Sequence, residues 1–240
     1  MSVFRSLEIA CPKCGSTTAH NTVFSVNADR RPDLRIAIAD GSFQRAECPS
    51  CGTAFRLDPE FAFVDAGARQ WIAAYPLARQ RDWRQLEAEA TQLFDRVYGA
   101  EASEFLQGQG RTFVRRVTFG WAGLREKIVI ADRGLEDMAV ELCKAAILRS
   151  SAEVVLDGRV DLRLVDADDA GLRFAWLLAD NEEPIRTLTV AREMYDEIAG
   201  DADGAWNELR TDLQAGLYLD LNRLILAGPS TPSTPTRKKR

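Results

Sequence analysis

The sequence predicts an α+β fold, on three observations. The first is a repeated pattern, Cys11-Pro12-Lys13-Cys14-Gly15 and Cys48-Pro49-Ser50-Cys51-Gly52. The second is a set of apolar stripes at helical spacing, clearest at Trp83, Leu86, Ala90, Leu93, Phe94 and Val97. The third is the change of pattern over residues 153–191, where short apolar runs alternate with polar turns, as in an antiparallel sheet.

The cysteine pattern carries chemistry. A two-residue gap lets both sulfurs of one turn reach a single ion about 2.3 Å away. Proline at the second position presets φ for that turn. Glycine after the second cysteine allows positive φ, so backbone N–H groups can point at the thiolates. Two such knuckles supply four thiolates, Cys11, Cys14, Cys48 and Cys51. Four thiolates close a tetrahedral shell around Zn²⁺ and leave no position for water, which makes the metal structural rather than catalytic. A thioredoxin-like redox pair needs only one such motif, in a strand-to-helix context. Disulfides need an oxidising compartment. An iron–sulfur cluster also uses four thiolates, but the Pro and Gly punctuation favours zinc. The expected N-terminal unit is therefore a zinc ribbon. Its knuckles are 33 residues apart, beyond the usual spacing of about 15–20, so something is inserted between them.

The insert reads as a strand over Asn21–Val26 and a short helix opened by Pro32-Asp33-Leu34, with Gly41 as its stop. Strands Phe43–Glu47 and Thr53–Leu57 flank the second knuckle. Glu60–Asp65 and Gln70–Ala74 form a further pair around Ala66-Gly67-Ala68. Asp82 is placed to cap the striped helix that Gly99 ends. A strand over Thr112–Phe119 and helices over Trp121–Asp132 and Leu135–Arg149 follow, separated by Arg133-Gly134. In the last third, Val154–Leu156, Val160–Val165, Leu172–Leu178 and Arg186–Val190 read as strands. Arg163 and Arg173 are expected on the wet face of this sheet. Helices are expected over Arg192–Ile198, Ala205–Leu213 and Leu217–Leu226. The expected organisation is a ribbon over 1–58, a mixed α/β region over 59–150, an acidic sheet-plus-helix region over 151–227, and a disordered basic tail over 228–240 ending Arg237-Lys238-Lys239-Arg240.

Composition excludes several classes. The 240 residues are 46% hydrophobic and 28% charged with net charge −5, which is globular rather than disordered composition. No apolar run approaches a membrane span, and Met1–Ala10 lacks the features of a secretory signal. A cytoplasmic protein is expected. A single histidine, His20, removes most His-dependent catalysis and reads as a loop or strand residue, with a spare-ligand role as the alternative. Cys143 lies in an amphipathic helix and reads as a buried core thiol.

The paired Cys-Pro-x-Cys-Gly knuckles with their long insert resemble the CpXC domain, a bacterial and archaeal zinc-ribbon-like domain. The likeness continues through Phe55-Arg56-Leu57-Asp58-Pro59, Phe63-Val64-Asp65, Gln70-Trp71-Ile72, Leu124-Arg125-Glu126-Lys127-Ile128 and Gly134 to Leu142, covering about residues 8–150. The family pattern often has Tyr-His where this chain has Phe63-Val64. The resemblance implies a fold and a metal, and no reaction.

The leading functional expectation is a non-catalytic zinc-binding module that presents a surface to a protein partner. The alternative is nucleic-acid binding through Arg30, Arg31, Arg35, Arg45 and Arg56, with Phe43 and Phe55 nearby. An enzyme would have to use carboxylates such as Asp65 or the Asp166, Asp168, Asp169 group, which otherwise reads as a polar hairpin tip. No Gly-rich phosphate loop, nucleophile elbow or HExxH motif is present.

Overall fold

A computed structural model describes residues 2–150, 160–200 and 204–227. The expected strand Val154–Leu156 and the basic tail Gly228–Arg240 lie outside the described residues.

The elements run β1 (Val3–Ala10), β2 (Thr17–Asn27), α1 (Pro32–Ala39), β3 (Arg45–Glu47), β4 (Ala54–Arg56), β5 (Phe61–Asp65), β6 (Gln70–Tyr75), α2 (Trp83–Tyr98), α3 (Glu104–Gly110), β7 (Val114–Phe119), α4 (Gly120–Asp132), α5 (Asp137–Ser150), β8 (Val160–Ala167), β9 (Gly171–Leu178), β10 (Pro184–Ala191), α6 (Arg192–Gly200), α7 (Asn207–Gln214) and α8 (Asn222–Ala227). They form a mixed α+β structure with three sheets: β1-β2-β5-β6-β7, β10-β9-β8, and the small pair β3-β4.

The five-stranded sheet has helices on both faces. On one, Val23, Val26, Phe61, Phe63 and Ile72 pack with Leu34 and Ile38 of α1 and Trp121, Leu124 and Ile128 of α4. On the other, Trp71, Tyr75, Val117 and Phe119 pack with Trp83, Leu86, Ala90 and Phe94 of α2. Every residue of β6 is buried. That double burial is why Trp71-Ile72-Ala73-Ala74-Tyr75 reads as an unbroken apolar run rather than an alternating one. The insert between the knuckles is not self-contained, since β2 and α1 give their apolar side chains to this shared core. The last three residues of β2 pair in parallel with β5, while the rest of β2 pairs only with β1. The β1–β2 hairpin therefore projects from the sheet and carries the first knuckle at its turn.

A second core joins α5, the β8–β9–β10 sheet, α6 and α7 around Leu142, Phe174, Trp176 and Leu213. Helix α4 lies between the two cores, which is why its apolar residues are not confined to one stripe. It ends at Arg133-Gly134 as expected. Gly134 adopts φ +60°, Leu135 N donates to Ile130 O at 2.9 Å and Gly134 N to Ala131 O at 3.1 Å. This is the paired-bond stop in which a left-handed residue follows the helix.

Three local expectations are corrected. Asp82 makes no capping hydrogen bond to α2. A 3₁₀ turn over Leu77–Asp82 runs straight into the helix, so the Asp82 backbone is already near-helical and its carboxylate is not presented to the first turn. The helix expected over Leu217–Leu226 is confined to Asn222–Ala227. Its first residues instead run beside β7, where Val117 N donates to Leu217 O at 3.0 Å, and Tyr218 N is taken by Glu87. Arg163, expected on a wet sheet face, is 1% exposed. Arg173 on the neighbouring strand is exposed, as expected.

Arg163 belongs to an ionic cluster between the two cores. Its Nη1 reaches Glu126 Oε2 at 2.8 Å and Asp220 Oδ2 at 2.5 Å, and its Nε donates to Asp161 Oδ2 at 2.7 Å. Lys144 Nζ lies 3.1 Å from Glu126 Oε2 and 2.8 Å from Glu141 Oε2. Lys127 Nζ donates to Asp137, Glu141 and the Leu219 carbonyl. The leftover acceptor sites are also filled, by Leu164 N on Glu126 and Leu221 N on Glu141. Buried charge is tolerated where opposite charge and hydrogen bonds surround it; Arg163 Nη2 has an ion-pair contact with Asp161 at 2.6 Å but no hydrogen bond.

Candidate metal centre

The two knuckles have the same backbone. In the first, which turns β1 into β2, Gly15 N donates to Cys11 O at 2.9 Å and Cys11 N to Ser16 O at 2.9 Å. In the second, which turns β3 into β4, Gly52 N donates to Cys48 O at 2.8 Å and Cys48 N to Thr53 O at 2.9 Å. Gly15 and Gly52 both sit in the left-handed region, at φ +73° and +66°. A side chain there would strain the turn that aims the sulfurs.

The knuckles face one another. Cys11 Sγ lies 3.8 Å from Cys51 Sγ and Cys14 Sγ lies 3.7 Å from Cys48 Sγ. All four sulfurs fall within 4.8 Å of one another. A tetrahedral ion with bonds of about 2.3 Å to sulfur separates its ligands by about 3.8 Å. The cluster is thus able to hold a metal ion, and its all-sulfur donor set suits a soft or borderline one. Cys11 and Cys48 are buried, while Cys14 and Cys51 face solvent.

The electrostatics of the thiols also call for a cation. The Thr53 hydroxyl and backbone N–H bring Cys51 down to about 6. Cys11 is lowered by the backbone N–H groups of Cys14 and Lys13. Cys14 is helped by Ser16 N–H, but the crowding of Cys51, Cys48 and Cys11 pushes it up to about 12. Four thiolates this close do not ionise together without positive charge among them, which is what metal binding supplies as it releases their protons.

His20 lies on β2 and is not part of the cluster. Its Nε2 is 2.7 Å from Thr18 Oγ1 and its ring meets Phe55 edge-on at 5.6 Å. Cys143 is buried in α5, and burial pushes its thiol up to about 12. Among the described residues, one other group brings three ligand-type side chains together: Glu126, Glu141 and Asp220. The chain's own Lys144 and Arg163 occupy the space between these carboxylates. The signal for that cluster was charge at core-facing positions of α4 and α5, which periodicity alone does not separate from surface charge.

The Asp166, Asp168, Asp169 group is the tip of the β8–β9 hairpin. Asp166 pairs with Arg133 and Arg173 at 2.9 Å each, and Asp168 accepts from Ala170 N and Gly171 N. Asp65 pairs with Arg35 at 2.8 Å and accepts from Ala68 N. Of the five arginines expected to contact nucleic acid, Arg30, Arg31, Arg35, Arg45 and Arg56, four are engaged within the chain. Arg31 pairs with Asp33, Arg35 with Asp65 and Asp132, and Arg45 and Arg56 donate to Gly41 O and Phe43 O.

The family model for the CpXC protein matches residues 9–144. The match spans more than half of the chain and contains both knuckles, so the chain belongs to the CpXC family. No curated protein and no solved structure matches it. No helix among the described residues is long and apolar enough to cross a membrane.

Proposed function

We propose that this CpXC protein is a non-catalytic cytoplasmic module in which Cys11, Cys14, Cys48 and Cys51 hold a structural Zn²⁺ as a zinc ribbon, and that the ribbon presents the β1–β2 hairpin to a protein partner. The observation that carries the metal is the sulfur separation of 3.7–3.8 Å across the two knuckles, the edge length of a ZnS₄ tetrahedron. With four thiolates the shell is closed, so the ion shapes the hairpins and activates no water. The partner reading is supported by β1. It is an edge strand whose outer side is unpaired in the sheet, and Val3, Phe4 and Leu7 are all about 40% exposed along it. An edge with apolar side chains is a template for an added strand.

Elemental analysis of the purified chain tests the metal, with one zinc per chain expected and iron or no metal counting against the reading. Affinity capture from the native cell tests the partner, comparing the parent chain with Leu7→Asp and with metal-stripped protein. Both changes are expected to abolish capture; a partner retained by the metal-free chain removes the ribbon from the interaction. A filter-binding titration in salt separates the nucleic-acid alternative, which requires a steep salt slope.

A further inference from the structure

Between the β3–β4 hairpin, the start of α4 and the β9–β10 turn lies a cavity of about 470 Å³. That falls within the roughly 300–1,000 Å³ of small-molecule sites. Phe55, Phe119, Trp121 and Leu177 contribute its apolar wall, and Arg45 and Arg56 line it as well. Glu182 borders this cavity and a second one of about 380 Å³, which Arg125 lines.

Three guanidinium groups converge where these spaces meet. A methyl placed on Gly41 would lie 3.0 Å from Arg125 Nη1, 3.9 Å from Arg56 Nη1 and 4.0 Å from Arg45 Nη2. Gly41 itself has φ +79°, so backbone conformation and space both keep a side chain out. Each arginine is anchored through another nitrogen. Arg45 Nε donates to Gly41 O at 2.8 Å, Arg56 Nε to Phe43 O at 2.9 Å and Arg125 Nη2 to Glu182 at 2.7 Å. Arg56 also stacks on Trp121, 4.0 Å from the ring centroid. Glu182 is the one carboxylate that pairs with the group among the described residues, and it reaches Arg56 only at 3.5 Å. Burial pulls Arg56 down to about 10, with Arg125 and Arg45 adding to the pull against Glu182 and Asp40. Its Nη2 is buried with no hydrogen-bond partner. Three anchored guanidinium groups thus have Glu182 as their one ion-pair partner among the described residues, with Asp40 close by and Asp58, Asp161 and Asp180 elsewhere on the cavity wall, and guanidinium forks match oxyanions in geometry.

We propose that this cleft binds a small organic oxyanion. Its phosphate or carboxylate head sits among Arg45, Arg56 and Arg125, its apolar body lies against Phe55, Trp121 and Leu177, and Glu182 is the resident counterion that the head displaces. The four cysteines supply no atom to this site, but Pro12 of the first knuckle lines it and Arg45, Phe55 and Arg56 stand on the hairpin that carries the second, so the proposal rests on an intact metal centre and is tested on the metal-loaded chain.

The test uses the full-length, metal-loaded chain, titrated with phenyl phosphate, benzoate and inorganic phosphate by calorimetry and Trp fluorescence. Saturable binding of an organic anion is expected, with phenyl phosphate ahead of benzoate for a phosphate-binding site and the reverse for a carboxylate one. Arg45→Ala and Arg125→Ala are each expected to weaken it about tenfold, through loss of one charged fork. Glu182→Gln is expected to tighten it several-fold, a gain that structural damage does not produce. Arg45 is exposed, so its variant keeps the test valid where Arg125→Ala perturbs folding. No saturable binding of either organic anion by the parent chain and Glu182→Gln up to ~10 mM overturns the proposal. So does binding that Arg45→Ala leaves unchanged, or inorganic phosphate binding as tightly as phenyl phosphate.

Discussion

Arg163 Nη1 lies 2.8 Å from Glu126 Oε2, with both side chains sealed from solvent, and this pair ties β8 to the central helix α4. Removing one partner of such a pair strands the other as an uncompensated buried charge, at about 3–5 kcal/mol. Arg163→Met is expected to lower unfolding free energy by that amount in urea titrations. The double variant Arg163→Met/Glu126→Gln is expected to recover part of the loss, which a merely steric defect does not allow.

The same cluster sets the response to acid. Burial alone would raise Asp220 and Asp137. Arg163, Lys144 and Lys127 around Asp220, and Lys127 and Arg116 around Asp137, outweigh it and hold both below the ordinary carboxylate range. Their stabilisation is complete above the unfolded-chain value of about 3.9 and is lost as pH falls through the lower folded values. Glu141 and Asp161 are held up instead, chiefly by burial, and soften the loss by taking protons first in the folded state. Urea midpoints are expected to fall below about pH 4, and Asp137→Asn to flatten that fall.

Metal removal is read with thiol reagents. In the metal-loaded chain the knuckle thiols are expected to react slowly, and after chelation four per chain become reactive. Cys143, buried in α5 with its thiol pushed up to about 12, stays silent until denaturant is added. Cys48→Ser is expected to weaken metal retention by more than about 100-fold, since even groups behind the ligands are worth 10–100-fold.

Gly134→Ala isolates a backbone effect. A methyl there meets nothing within 4 Å, so the cost is that of holding alanine at φ +60°, about 1–2 kcal/mol. Thermal or urea unfolding measures it, and metal content is expected to stay unchanged.

The legible part of the molecule was the part where local chemistry decides. The knuckles, the Arg133-Gly134 break and the α2 stripe are each set by a few neighbouring residues. The cysteine cluster followed from spacing alone, and the family match covers the same stretch. What escaped was decided at long range. β1 shows little apolar alternation because it is an exposed edge, and α3 is a short helix with no buried residue. Arg163 alternates like a surface residue, and besides its neighbour Asp161 its partners are Glu126 and Asp220, 37 and 57 positions away. The arginine-lined cleft likewise draws on residues as far apart in sequence as Pro12 and Glu182.

The irregular run from Leu217 to Asp220 hands a carbonyl to Lys127 and a carboxylate to Arg163. These are among the last described residues to leave the ribosome. A nascent chain stalled before them holds two interior cations without their full complement of acceptors. Full consolidation of the central helix therefore waits for Leu219 and Asp220 to dock.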